Sequence, residues 1–228
     1  MNIFDILGPV MVGPSSSHTA GAVRIGYVTR TLLGEKPVKA DIALSGSFAA
    51  TGSGHGTDRA LIAGLLGMKP DDIRIPDSFQ EAEHEGLAFS FRNVRIPEAH
   101  PNTALLKVEG EGGRKAEVQA SSLGGGRIMI NKLDGTEVHC SGACPTLIIR
   151  NQDSPGVVSE VTSILSWKKV NIATLQLYRD RRGGSAVMVI ETDQPVQKET
   201  VSMLEHLEGI ERIMYIRCGM TPASIGGE

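Results

Sequence analysis

Between Thr146 and Arg217 six segments follow one another in an order that few folds accommodate. Thr146 to Arg150 is a short apolar strand, and Asp153-Ser154-Pro155-Gly156 opens a helix with Val157, Val158, Val161, Ile164 and Leu165 on one face. Val170 to Tyr178 reads as a strand, Arg179 to Gly184 as a polar turn and Ser185 to Glu191 as the next strand. A helix from Val196 to Leu207, carrying Val201, Leu204 and Leu207, leads to a last strand from Ile210 to Arg217. The order βαββαβ is that of the ferredoxin-like split unit.

The preceding part of the chain has a different texture. Many of the 27 glycines fall in short clusters before about residue 145, so the composition changes near Gly142. This predicts domains over 1–143 and 144–218 with a flexible tail at 219–228. Helices are expected from Ala20 to Leu33 and from about Asp58 to Leu66. Strands are expected over Val38 to Leu44, Leu87 to Val94, Ala104 to Val108, Arg114 to Ala120, and Arg127 to Leu133, which turns at Asp134-Gly135 into Thr136 to His139. The first domain therefore reads as a mixed α+β sandwich, and the whole chain as α+β.

Composition excludes several classes of function. A net charge of -3 leaves no basic footprint, and one Trp, three Tyr and five Phe are too few for base stacking, so no nucleic-acid partner is expected. No apolar run approaches the roughly 20 residues that span a bilayer, and Met1-Asn2-Ile3-Phe4-Asp5 lacks a basic signal-peptide start. A cytoplasmic chain without membrane contact is the expectation. Three cysteines, Cys140, Cys144 and Cys218, are an odd number and suggest no disulfide framework; they read as buried small hydrophobes.

Four polar clusters lie between the predicted elements of the first domain, where scaffolds present ligand-binding groups. In Gly13-Pro14-Ser15-Ser16-Ser17-His18-Thr19 three serine hydroxyls and an imidazole precede a helix, whose first amides suit a carboxylate. Gly52-Ser53-Gly54-His55-Gly56-Thr57-Asp58 sets His55 between two glycines, with Thr57 or Asp58 as a helix cap. His100-Pro101-Asn102-Thr103 is an extended or turn segment with a two-way hydrogen-bonding Asn. Ser121-Ser122-Leu123-Gly124-Gly125-Gly126 offers unhindered amides for a carboxylate or phosphate, or else a tight bend. It matches neither the dinucleotide fingerprint nor the phosphate loop.

Two resemblances add to this reading. Asn151-Gln152-Asp153-Ser154-Pro155-Gly156 and Val170-Asn171-Ile172 resemble the ACT domain, a module that pairs side by side and binds amino acids at the pair's interface. It implies a homodimer through this domain and makes Asn151, Asp153, Gly156 and Asn171 candidate effector ligands. Helix capping remains the alternative role for Asp153. The polar clusters together resemble, from Met1 to about Arg217, the β chain of the iron–sulfur-dependent bacterial L-serine dehydratase.

That family resemblance implies an N-terminal domain of the allosteric-substrate-binding type, as in some phosphoglycerate dehydrogenases. It also implies a helical α chain holding a [4Fe–4S] cluster as partner, and deamination of L-serine to pyruvate and ammonia. The cluster would act as a Lewis acid on the β-hydroxyl, and an imidazole would take the Cα proton. Three cysteines fall short of the four a complete cluster wants, so the cofactor is expected on the partner and no metal on this chain. His55 is expected as the base and His18 as a second imidazole, with the reverse open. Ser16, Ser17, Ser122 and the amides of Gly124, Gly125 and Gly126 are candidates for the substrate carboxylate, and His100 with Asn102 for a further polar contact. His84, His139 and His206 are expected on the surface. The competing class is a non-catalytic module that senses L-serine.

Overall fold

The computed structural model describes residues 11–217 apart from 14 and 53. They divide into two compact units, one ending at Gly135 and the other beginning at Thr136. The division lies earlier than the expected boundary at residue 143. Cys218 and the expected tail at 219–228 lie outside the described residues.

In the first unit a single π-helical turn, Ser16–Ala20, leads into α1 (Gly21–Leu33). β1 (Pro37–Gly46), α2 (Ser47–Thr51), α3 (Thr57–Leu65) and α4 (Ser78–Glu85) follow. Then come β2 (Ala88–Asn93), β3 (Asn102–Gly110), β4 (Lys115–Gly124) and β5 (Arg127–Leu133). These strands lie in the order β2-β1-β3-β4-β5. β1 and β2 are parallel and the other pairs antiparallel. A parallel neighbour demands a crossover, and α2, α3 and α4 supply it. The sequence reading lacked α2 and α4. One has five residues and the other a mostly polar surface, so neither shows a sustained apolar period.

α1 and α3 are held in close contact by two glycines. A Cβ on Gly26 would stand 2.2 Å from the Leu61 carbonyl oxygen, and one on Gly64 only 2.0 Å from that of Val23. The backbones therefore touch directly. Around them Val23, Ile25, Leu61, Ile62 and Leu65 are buried, each such side chain contributing about 1.5–3 kcal/mol through its removal from water. Two expected caps differ from what is observed. Gly56, with φ 70°, occupies the position before α3 and no side chain caps it. Thr57 is buried without a hydroxyl partner, and the Asp58 carboxylate accepts the adjacent Arg59 N–H instead, at 2.8 Å.

The second unit comprises β6 (Thr136–Cys140), β7 (Thr146–Gln152), α5 (Val157–Trp167), β8 (Ile172–Arg179), β9 (Ser185–Thr192), α6 (Lys198–Glu205) and β10 (Ile210–Ile216). Its four-stranded sheet has the order β10-β7-β9-β8, antiparallel throughout. This is the expected ferredoxin-like βαββαβ arrangement. Leu147, Ile149, Val157, Val161, Leu165, Met188, Ile190 and Leu204 form its core. Asp153 is not the cap of α5, whose N-terminus has none from a side chain. Its carboxylate instead accepts the Gly183 N–H at 2.9 Å and Arg179 Nη1 at 3.1 Å, tying the β7–α5 connection to the β8–β9 turn. Those donors, the Gly183 amide foremost, hold its carboxyl below the usual carboxylate range. Cys140 is buried as expected, but Cys144 is exposed because it lies in the irregular segment before β7.

The glycine contact generates a direct test. Gly64→Ala would force the helices apart and should destabilise the chain by about 1–3 kcal/mol, the usual cost of overpacking. Urea unfolding checks this as a lowered midpoint.

Candidate active site

The Ser15–Thr19 run is organised around its own imidazole. Ser15 caps the π-helical turn, its Oγ accepting the His18 N–H at 3.3 Å. That geometry turns the His18 ring back over the run: Nδ1 lies 3.1 Å from Ser17 Oγ and 3.3 Å from Ser15 Oγ. On the other side, Nε2 lies 3.1 Å from both Ser47 Oγ and Thr51 Oγ1. These two residues occupy one face of α2 at i, i+4 spacing. Buried Phe48 meets the ring edge-on at 5.4 Å between centroids.

α2 is placed by the His100 loop. The Pro101 carbonyl accepts the Ser47 N–H at 2.7 Å, and Gly46, at φ 60°, passes so close that a Cβ there would lie 2.4 Å from that oxygen. His100 itself is exposed, and its Nδ1 accepts the Asn102 N–H at 3.1 Å, so in the neutral ring the proton is on Nε2. Below it the Thr103 hydroxyl donates to the His100 carbonyl at 2.6 Å and meets buried Ser121 at 2.8 Å. The side-chain oxygen of Asn102 is buried without a partner.

His55 arrives from the opposite direction, on the loop before α3. Its N–H donates to the Thr51 carbonyl at 3.1 Å, and its ring stands 5.1 Å from that of His18, centroid to centroid. The side chain is exposed, and no described residue hydrogen-bonds to the ring. Burial first, and then the neighbouring His55, hold the His18 imidazole below its ordinary value, against an opposing pull from the Ser47 backbone. His18 is therefore neutral at pH 7.

The glycine cluster divides into two parts. Ser121, Ser122 and Gly124 belong to β4 rather than to a loop; Gly125 and Gly126 form the turn into β5, with φ of 60° and 73° as a type I′ hairpin turn requires. The Gly125 amide donates to Ser16 Oγ at 3.4 Å, so this turn reaches the serine run. Ser122 does not present its hydroxyl to solvent: it is wholly buried, its Oγ has no partner, and a Cβ on Gly21 would stand 2.0 Å from it. Burial removes it from direct contact with an incoming carboxylate.

The structure thus brings together His18, His55, Ser16, Ser17 and Gly125, and joins the His100–Asn102 loop to them through Ser47. Ser47, Thr51 and Ser15 were absent from the sequence-derived candidates. Only the fold brings the first two to His18, 29 and 33 residues along the chain. His84, His139 and His206 are exposed. In the second unit Asn151 is buried with Oδ1 unpartnered, Asp153 is engaged as described, Gly156 adjoins the start of α5, and Asn171 bonds through its side chain to Asp193. No hydrogen bond among the described residues joins Asn171 to the other three. Among the described residues no three His, Cys, Asp or Glu side chains converge in a way that could hold a metal ion. Cys140 and Cys144 with these surroundings do not fit an iron–sulfur cluster.

A family described as serine dehydratase beta chain matches residues 2–86, and the ACT domain family matches residues 145–208. The chain is 40% identical over 215 residues to a probable L-serine dehydratase beta chain of Bacillus subtilis, covering 94% of this chain and 97% of that one. It is 36% identical to the L-serine dehydratase beta chain of Peptoniphilus asaccharolyticus, covering 92% and 93%. It is also 36% identical over 109 residues to L-serine dehydratase 2 of Escherichia coli, covering 42% of this chain and 24% of that protein. With identity at this level running through nearly the full length of two such chains, and with its own ACT domain, the chain belongs to the L-serine dehydratase beta-chain family.

Proposed function

We propose that this chain forms an L-serine dehydratase with an α chain, and that its two facing imidazoles act on the substrate in the conversion of L-serine to pyruvate and ammonia. The observation that carries this reading is the His18–His55 pair, 5.1 Å apart beside a run of serine hydroxyls. The reaction removes one proton from Cα and expels the β-hydroxyl, which takes up one proton to leave as water. The aminoacrylate that remains tautomerises and hydrolyses without further help. A proton acceptor and a proton donor are therefore both needed, and a pair of imidazoles at this spacing suits that exchange.

His55 is the better candidate for the Cα base. Its ring is exposed and no described residue occupies its nitrogens. His18, bracketed by hydroxyls at both nitrogens, is suited to orienting the substrate or assisting departure of the hydroxyl. Ser16, Ser17, the Gly125 amide and the outward Nε2–H of His100 are the groups we assign to the carboxylate. Ser122 supports the wall behind them. The [4Fe–4S] cluster belongs in this reading to the α chain, since the described residues here offer no ligand set for it. Similarity to only 24% of a longer L-serine dehydratase supports the need for a further polypeptide.

In the ACT unit the unpaired edge of β8, where Leu177 is 41% exposed, supports side-by-side pairing of two copies. Asn151, with its orphaned buried oxygen, supports a small effector near the β7–α5 connection. No helix among the described residues is long and apolar enough to cross a membrane, and we place the enzyme in the cytoplasm.

The purified chain alone should not dehydrate serine, and activity should appear when the α chain is added. In that assembly His55→Ala should lower kcat by about 10²–10⁴, the range for loss of a general base, with a much smaller change in KM. His84→Ala and His206→Ala should match the wild type. Full kcat in His55→Ala would make the pocket a serine sensor rather than a catalytic site.

The pH dependence of stability follows from His18. Its folded value is lowered, so the unfolded chain takes up a proton from about pH 6.5 downward while the folded chain resists it. Stability should accordingly fall as pH drops through 6.5 toward the folded value. Urea midpoints measured across this window should show a shallower fall for His18→Gln than for the wild type.

A further inference from the structure

We propose that Thr51 is a positioning residue that holds His18 in its Nε2–H tautomer, leaving Nδ1 as the proton-accepting atom of the ring. The argument is one of counting protons. A threonine hydroxyl carries one proton, and within a helix it commonly gives it to the carbonyl four residues earlier. Thr51 Oγ1 does so, donating to the Ser47 carbonyl at 2.9 Å. Toward His18 Nε2, 3.1 Å away, the same oxygen can only accept. Ser47 Oγ, also 3.1 Å from Nε2, keeps a rotatable proton and adapts to either tautomer.

The opposite side of the ring has the complementary character. Nδ1 faces Ser17 Oγ at 3.1 Å and Ser15 Oγ at 3.3 Å, two hydroxyls that can each donate. Ser15 Oγ already accepts the His18 backbone N–H, so its own proton remains to be given. A neutral imidazole has a single N–H. Placing it at Nε2 satisfies both sides, whereas placing it at Nδ1 sets a bare nitrogen against the Thr51 oxygen. The lone pair of His18 consequently points at the Ser15–Ser17 turn. The tautomer is a property of this chain alone; only its catalytic consequence rests on the function proposed above.

The test uses the full chain with ¹⁵N-labelled imidazoles, studied by long-range ¹H–¹⁵N correlation above the ordinary histidine titration range. His18→Gln identifies the His18 signals among the six histidines. Wild-type His18 should show the Nε2–H pattern, Thr51→Val a shift toward the Nδ1–H form, and Thr51→Ser the wild-type pattern again. An Nδ1–H pattern in the wild type would overturn the proposal, and that measurement needs no variant at Thr51 to fold. An unchanged pattern in Thr51→Val would overturn it as well. With the α chain present, Thr51→Val should lower kcat by about 10–100-fold with KM little changed, the usual cost of losing a partner that orients a histidine. An altered tautomer with undiminished kcat would support the positioning role and overturn instead the assignment of His18 to the catalytic pair.

Discussion

The backbone contact between Gly26 and Gly64 is the constraint from which the site follows. Both helices begin at histidine-bearing turns: His18 lies in the turn leading into α1, and His55 in the loop leading into α3. From the crossing point α1 runs back about one and a half turns and α3 about two to their N-termini, so the spacing of the crossing is transmitted to the two imidazoles. Larger residues at either position would separate the helix axes, since the atoms they would meet are backbone rather than side chain. Backbone cannot rotate away as a side chain tip does. The 5.1 Å between rings is therefore a consequence of close packing in the interior, and no local interaction between the histidines is needed to explain it.

Given that proximity, electrostatics decides the charge state. Burial first, and then the neighbouring imidazole of His55, hold the His18 ring below its ordinary value. Neutrality alone does not orient a ring. The hydroxyls of Ser15, Ser17, Ser47 and Thr51 do so, because a hydroxyl can both donate and accept and so saturates an imidazole without adding charge. Carboxylates in the same places would have raised the basicity of His18 and fixed a cation there. The preference for serine and threonine around this histidine is thus physical: it holds the ring while leaving its charge to be set by burial and by His55.

Much of the fold was legible in the sequence, because sustained periodicity survives into packed elements. The βαββαβ unit appears with its six elements in the expected order, their boundaries shifted by a few residues. Its central strand is instructive, for Leu147, Ile148 and Ile149 are all buried and show no alternation. A continuous apolar run marks a strand covered on both faces. The failures have one source, namely short polar segments whose role depends on distant partners. Asp153 has the residue type and position of a cap, yet its carboxylate is taken by Gly183 and Arg179 from another turn. Ser122 and Gly124 read as a loop because glycines follow them, but β4 continues through both and buries Ser122 against α1. The candidate site divides in the same way. His18 and His55 stood out locally through their glycine and serine neighbours, whereas Ser47 and Thr51 lie on a five-residue helix that exists because Pro101, far along the chain, offers its carbonyl to the Ser47 amide.

That last contact explains why the site sits where it does. β1 and β2 are parallel, so the chain leaving β1 must climb out of the sheet before it can return. It leaves at Gly46, opposite Asn102 at the start of β3, and the preceding residue of that antiparallel partner supplies the acceptor that starts α2. Helix starts expose unsatisfied amides, and here the need is met by backbone rather than by a capping side chain. The consequence is chemical as well as structural. Pro101 satisfies the Ser47 amide, while the Ser47 hydroxyl lies 3.1 Å from His18 Nε2. The His100 loop and His18 are thereby tied to a single residue, Ser47, at one corner of the sheet.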